Sequence, residues 1–317
     1  MIAEENSILC SSSVCTARRI GYSANMTKTT FRPRRSCLYM PASNERALEK
    51  AKTLPADTII FDLEDAVAPD AKDEARENAC AALQSGEYGN RELVVRINAM
   101  DTVWFADDLR QACLSKADAV LVPKILSDED IIRIDGVIDD LGANLATKLW
   151  AMIEMPQAIL ELGAIAALGP ETRLTSFVMG FNDLAKEMHA EHDRDVFGSV
   201  MTQTVIAARA YGLNVIDSVY NDFNDPDGLE AECLEARKLG FDGKSLIHPA
   251  QIETANRVFA PQASALAEAE AIIAAFKEPV NAGKGVIVVD GKMTELLHLK
   301  QANQLVATAK AIDALAR

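Results

Sequence analysis

The chain has 317 residues, 49% of them hydrophobic and 25% charged, which suits one large α/β domain with an appendage better than several small domains. Its 47 acidic against 32 basic side chains leave a formal net charge of −15, so no chain-wide basic field draws it to nucleic acid or to an anionic membrane. No apolar run approaches the roughly 18 to 20 residues that cross a bilayer, and the six cysteines (Cys10, Cys15, Cys37, Cys80, Cys113 and Cys233), without a C-x-x-C pair or metal-ligand spacing, predict reduced thiols in the cytoplasm and no structural disulfide.

Residues 1–30 carry little apolar periodicity and much Ser and Thr; Arg18 and Arg19 fit a transit peptide, Glu4 and Glu5 argue against one, and the expectation is a flexible extension. From residue 36, short apolar runs alternate with amphipathic stretches of about 10 to 15 residues, the rhythm of parallel strands joined by crossover helices. The predicted strands are Ser36 to Pro41, Thr58 to Asp65, Glu92 to Asn98, Ala119 to Lys124, Leu149 to Glu154, Ser176 to Asp183, Asn214 to Asp217 and Lys244 to His248. Helical sequences such as NERALEKAKTL, KDEARENACAALQ, QAILELGAIAALG and GLEAECLEARKLG lie between them, several closed by glycine. This order predicts a (β/α)8 TIM barrel over residues 31–260. A doubly wound sheet is the alternative, weakened because no Gly-x-Gly-x-x-Gly follows the first strand. Residues 261–317, with an Ala- and Glu-rich helix, the stretch AGKGVIVVDGKM and a last helix, predict a lid or an inter-subunit arm.

Barrels carry their chemistry where strands end at the C-terminal face. Here those ends are charged: Glu64 and Asp65, Arg96 and Asn98, Lys124, Glu154, Asn182 and Asp183, Asp217, and His248 are expected to converge on one mouth. Charges closing buried runs are costly unless they pair or bind a ligand. Glu154 and Asp183, on neighbouring strands and without His or Cys beside them, suit a hard cation, Mg2+, though Glu154 could instead pair with Lys124 or Arg96. Arg96 could fork onto a carboxylate or steady an enolate oxygen, or form a salt bridge with Glu64. Lys124 could form a Schiff base, a role ranked below an ion pair. For His248, which precedes Pro249, a loop-fixing hydrogen bond is at least as well supported as proton transfer. Arg32, Arg34, Arg35, Arg46, Lys50 and Lys52 form the densest basic cluster, open either to the phosphates of a nucleotide-like handle or to solvent.

RSCLYMPASNERALEKA, IIFDLEDAVAPDAKDEAR, VVRIN, VLVPK, AMIEMP, VMGFNDL, GFDGKSLIHPAQI and GKGVIVVDGKM, in that order from about residue 33 to the C-terminus, resemble the HpcH/HpaI aldolase and citrate lyase beta subunit superfamily, which includes malyl-CoA lyases. The resemblance implies Mg2+ on Glu154 and Asp183, Arg96 on the substrate's carbonyl or carboxylate, Glu64 in the mouth, and Tyr39 and Lys50 near coenzyme A. It also implies a homotrimer or a hexamer, with the C-terminal segment of one subunit covering a neighbour's site. Lyases of the family generally have an aspartate four positions after the glycine corresponding to Gly291; this chain has Glu295. With MDTVW, GFNDLAKEM and DSVYNDFNDPDGL, the stretch VVDGKMTELLHL is most similar to the thioesterase branch, which hydrolyses (3S)-malyl-CoA to CoA and malate. The reading favoured is therefore a Mg2+-dependent thioesterase. The alternative is a carbon–carbon lyase acting on malyl-CoA, citramalyl-CoA or citryl-CoA.

Overall fold

The computed structural model describes residues 32–142 and 146–315, so the expectations for residues 1–30, Cys10 and Cys15 lie outside the described residues. Eight parallel strands close into a barrel in sequence order: β1 (Ser36–Pro41), β2 (Thr58–Asp62), β3 (Glu92–Arg96), β4 (Ala119–Val122), β5 (Lys148–Ile153), β6 (Leu174–Met179), β7 (Asn214–Asp217) and β8 (Gly243–Leu246). The ring is shut by β1 against β8, with Ser36 opposite Lys244 and Leu38 opposite Leu246. The chain is thus a TIM barrel, and the open-sheet alternative falls.

Both faces of each strand are buried, which is why the strands read as nearly continuous apolar runs. Alternate residues point inward, where Cys37, Ile60, Val94, Leu121, Trp150 and Val178 fill the barrel. Their neighbours Leu38, Ile59, Val95, Val120, Ala151 and Phe177 pack outward in the cluster that joins the barrel to its helices.

The entry end is sealed by ion pairs. The guanidinium of Arg34 grips both oxygens of Glu92 at 2.6 and 2.7 Å, Arg35 grips Asp57 at 2.7 and 2.8 Å, and Arg32 reaches Asp118 at 3.0 Å. Arg34 also lies 5.0 Å above the ring of Trp150. These three arginines stand at the ends where the strands begin and are neutralised there, so this part of the basic cluster, open from sequence either to phosphates or to solvent, is taken up by ion pairs. Lys52 pairs with Glu49 and Glu87. The backbone crowds this end as well: a Cβ on Gly243 would stand 1.8 Å from the carbonyl oxygen of Arg34, so only glycine fits.

Six of the eight strands, β2 to β6 and β8, stop one to four residues short of expectation, and at two strand ends, β6 and β7, the placement of the charged residues changes. β6 stops at Met179 and the helix Phe181–Met188 begins at once, which puts Asn182 and Asp183 in its first turn. The Asp217 side chain leaves the barrel on its outer side. There it meets Lys244 at 2.7 Å and Arg194 at 3.1 Å, while Lys244 also bonds Glu232 at 2.8 Å. Inward and outward positions alternate, Ile216 belongs to the interior, and Asp217 must therefore face the helices.

Beyond the barrel come the helix Ala263–Lys277, the antiparallel pair β9 (Val286–Val289) and β10 (Lys292–Glu295), and the helix Leu296–Leu315. No helix among the described residues is long and apolar enough to cross a membrane. Cys37, Cys80, Cys113 and Cys233 are free thiols.

Candidate active site

A cavity of about 340 Å³ opens among the C-terminal strand ends, bordered by Tyr39, Asp62, Arg96, Glu154, Gly180, Asp183 and Ser218. The inward alternation puts them there: Ile60 leads two residues on to Asp62, Val94 to Arg96, Met152 to Glu154, and Val178 to Gly180.

Arg96 is the hub of the charged side. Its Nε and Nη2 donate to the two oxygens of Asp62 at 2.7 and 2.6 Å, and its Nη1 lies 2.9 Å from Glu64. The salt bridge to Glu64 weighed from sequence is present. Asp62, the stronger partner, was missed, although the two-residue step from Ile60 marks it as inward-facing. Burial alone would lower the Arg96 pKa, but the charges of Asp62 and Glu64 outweigh it and hold the guanidinium well above its ordinary value. Glu64 in turn accepts from Lys124 Nζ at 2.6 Å, and burial still pushes its carboxyl upward. Lys124 is therefore an ion-pair lysine here. Its backbone is left-handed at φ 54°, which aims its N–H at Glu154 Oε1, 2.8 Å away.

Glu154 is fully buried. Its second oxygen, Oε2, has no hydrogen-bond partner among the described residues. It pairs with neither the Lys124 ammonium nor the Arg96 guanidinium, the alternatives open from sequence. Burial first, then the charge of Glu64, lifts its carboxyl to about 8, with Asp183 adding to the rise. An orphaned carboxylate oxygen facing a cavity that a second carboxylate borders has the chemistry of a hard-cation site needing water and substrate oxygens to complete it. Gly180 makes room for it, since a Cβ there would meet Glu154 Oε2 at 2.5 Å and Met152 Cε at 2.8 Å.

The turn carrying Asp183 is clamped from β7 onward. The Phe181 N–H donates to Ser218 Oγ at 3.0 Å, and Asn221 Nδ2 donates to Asn182 Oδ1 at 2.9 Å. Phe181 stacks on Phe197, ring centroids 4.4 Å apart. Sequence reading singled out neither Ser218 nor Asn221; their stretch DSVYND stood out only by resemblance. Asn98 is held by Asp108 and by the buried Lys72, which also bonds the carbonyls of Leu63 and Glu64 and so fixes the loop behind Glu64. His248 caps a short turn, its Nδ1 accepting from Ala250 N–H at 3.2 Å, the loop-fixing role. Lys50 is exposed on the helix Glu45–Ala51, and Glu295, at the end of β10, is exposed and not among the cavity's lining residues.

Residues 35–249 match the HpcH/HpaI aldolase/citrate lyase family. The chain is 48% identical over 284 residues to a (3S)-malyl-CoA thioesterase of Cereibacter sphaeroides, covering 89% of this chain and 96% of the relative. It is 31% identical over 309 residues to an L-malyl-CoA/beta-methylmalyl-CoA lyase of the same species, covering 89% and 96%. Among solved structures, CitE from Mycobacterium tuberculosis in complex with magnesium, acetoacetate and coenzyme A superposes with a TM-score of 0.68 at 28% identity, covering 88% of this chain and 98% of that one. With its closed barrel, charged mouth and matched sequence, the chain belongs to the HpcH/HpaI aldolase/citrate lyase family of enzymes.

Proposed function

We propose that this protein is a Mg2+-dependent thioesterase that hydrolyses (3S)-malyl-CoA to CoA and malate. The observation that carries the reading is the pairing of a cation-seeking carboxylate, Glu154, with a retained but lengthened lid carboxylate, Glu295, in a chain 48% identical to a (3S)-malyl-CoA thioesterase. Glu154 and Asp183 hold Mg2+, which when bound fixes and polarises substrate oxygens. Tyr39, Arg96 and Lys124 border the acyl end, Glu64 keeps the two cations in place, and Lys50 meets the phosphates of CoA. Glu295 takes a proton from water as that water forms the new carbon–oxygen bond at the thioester carbonyl. Arg96 steadies the charge that gathers on the carbonyl oxygen. When the carbon–sulfur bond breaks, the proton on Glu295 passes to the departing sulfur.

Glu295 reaches a mouth from a second copy of the chain, in a homotrimer or a hexamer. Support comes from its place outside the cavity lining of its own barrel and from the apolar residues left bare around it, Val288 at 72%, Met293 at 69% and Leu297 at 58% exposure. Residues 261–317 are thus a lid serving a neighbour, 31–260 the catalytic barrel and 1–30 an extension. The four free thiols fit a cytoplasmic location.

The test is incubation of the purified protein with Mg2+ and (3S)-malyl-CoA, following free thiol and glyoxylate together, with EDTA and Glu295→Asp controls. Thiol and malate without glyoxylate, lost with EDTA, is the expected result. Glyoxylate with acetyl-CoA would instead make the protein a lyase.

A further inference from the structure

Of the side chains bordering the cavity, two present buried oxygens without a hydrogen-bond partner among the described residues: Glu154 Oε2 and the hydroxyl of Tyr39. The proposed cation accounts for the first. Nothing so far accounts for the second, and an unpartnered buried hydroxyl is costly unless a ligand completes it.

Tyr39 is 7% exposed, sits on β1 in the inner wall of the barrel and borders the cavity. Its ring lies 4.8 Å from the Arg96 guanidinium carbon. Burial raises the phenol, outweighing the Arg96 charge that pulls it down, and Asp62 adds to the rise, so the group stays an O–H and acts as a donor rather than a base. Arg96 meanwhile spends its Nε and Nη2 on Asp62 and an Nη1 contact on Glu64, and those two carboxylates offset much of its charge. An oxygen gaining negative charge beside Arg96 therefore meets a guanidinium that is well fixed but largely neutralised. A neutral donor in the same wall adds hydrogen-bonding power without bringing another carboxylate.

We propose that the Tyr39 hydroxyl donates a hydrogen bond to an oxygen of the acyl group that becomes negatively charged during the reaction, making Tyr39 a catalytic partner of Arg96 rather than a handle for the nucleotide end of CoA. The inference rests on the thioesterase reading for its reaction, though not for the hydrogen bond itself. A position deep in the barrel wall suits the small acyl head. The long nucleotide portion has to lie outside the cavity.

Tyr39→Phe removes the hydroxyl and leaves the ring, its packing and its contact with Arg96. Thermal melting checks that the fold is kept. In steady-state kinetics with (3S)-malyl-CoA, kcat is expected to fall about 10- to 100-fold with KM changed by less than about threefold, the mark of a contact that strengthens in the transition state. Inhibition by free CoA should not change. In parallel, calorimetry with Mg2+ and oxaloacetate, a four-carbon dicarboxylate, should show binding weakened about tenfold in the variant. Unchanged kcat and unchanged oxaloacetate binding overturn the proposal, as does a loss confined to inhibition by CoA. If the unaltered protein leaves malyl-CoA intact but binds oxaloacetate in a way that Tyr39→Phe weakens, the hydroxyl contact stands and the thioesterase reading falls. If it neither turns over malyl-CoA nor binds oxaloacetate, both fall.

Discussion

Glu154 is a carboxylate in surroundings that favour its acid form. Its folded pKa of about 8 lies above that of an exposed glutamate, so the metal-free protein holds this proton where the unfolded chain has lost it. The stability from this group is full below the unfolded value and is lost as pH rises through about 8. As a ligand of the proposed Mg2+, Glu154 would have to give up the same proton. Apparent Mg2+ affinity should therefore climb by up to about tenfold per pH unit toward pH 8 and then level, and calorimetry in buffers of different ionisation enthalpy should record the proton released. Affinity flat across that range would remove Glu154 from the metal site. Gly180→Ala is the steric counterpart: the added Cβ, 2.5 Å from Glu154 Oε2, must push the carboxylate aside. We expect a loss of roughly 1 to 3 kcal/mol in urea unfolding, typical of an overpacked site, with a far larger loss of Mg2+ affinity. At this scale the sequence was legible at Arg96 and Glu154, where a charge closes an apolar run and faces the cavity. Asp62 was missed inside the FDLED run: the two-residue step from Ile60 turns it inward, but Glu64 satisfies the same step, and only the fold shows that Asp62 takes two bonds from Arg96.

Strand alternation settles what strand position alone leaves open. Asp217 ends β7 as Glu154 follows β5, yet one points to the helices and the other to the mouth. Residue type and place in the run are alike; only the phase against the inward row distinguishes them, and a four-residue strand gives little phase to read. Asp217, Lys244, Arg194 and Glu232 form a buried ionic tie between the barrel and its helices. Removing one charge strands the others: Asp217→Asn should cost about 3 to 5 kcal/mol in urea unfolding and leave Mg2+ affinity and turnover per folded molecule unchanged. A selective loss of turnover would instead return Asp217 to the mouth. The helix start at Phe181 escaped the strand reading because VMGFND continues the apolar run. The bond from Phe181 N–H to Ser218, distant in sequence, helps to fix the break.

The eightfold alternation of strand and helix made the barrel legible as a whole, because each unit repeats the same signal. The terminal segment is different: its helices and hairpin can be read, but where it docks depends on a surface that one chain does not contain. If Glu295 serves a neighbour, subunits carrying Asp183→Ala and subunits carrying Glu295→Gln, each inactive alone, should regain activity when unfolded together and refolded as a mixture, since some mouths then join an intact barrel to an intact lid. Mixtures that stay inactive would place Glu295 at its own barrel or outside the chemistry.

The sealed entry end, with Arg34 over Trp150 and the glycine-tight approach at Gly243, makes the barrel a blind cup. Traffic through such a vessel is last in, first out. With the acyl head bound in the cavity under the CoA portion, as proposed, CoA would have to depart after hydrolysis before malate can. Product inhibition should show this order: malate, released last, competes with malyl-CoA for the empty enzyme, while CoA inhibits noncompetitively.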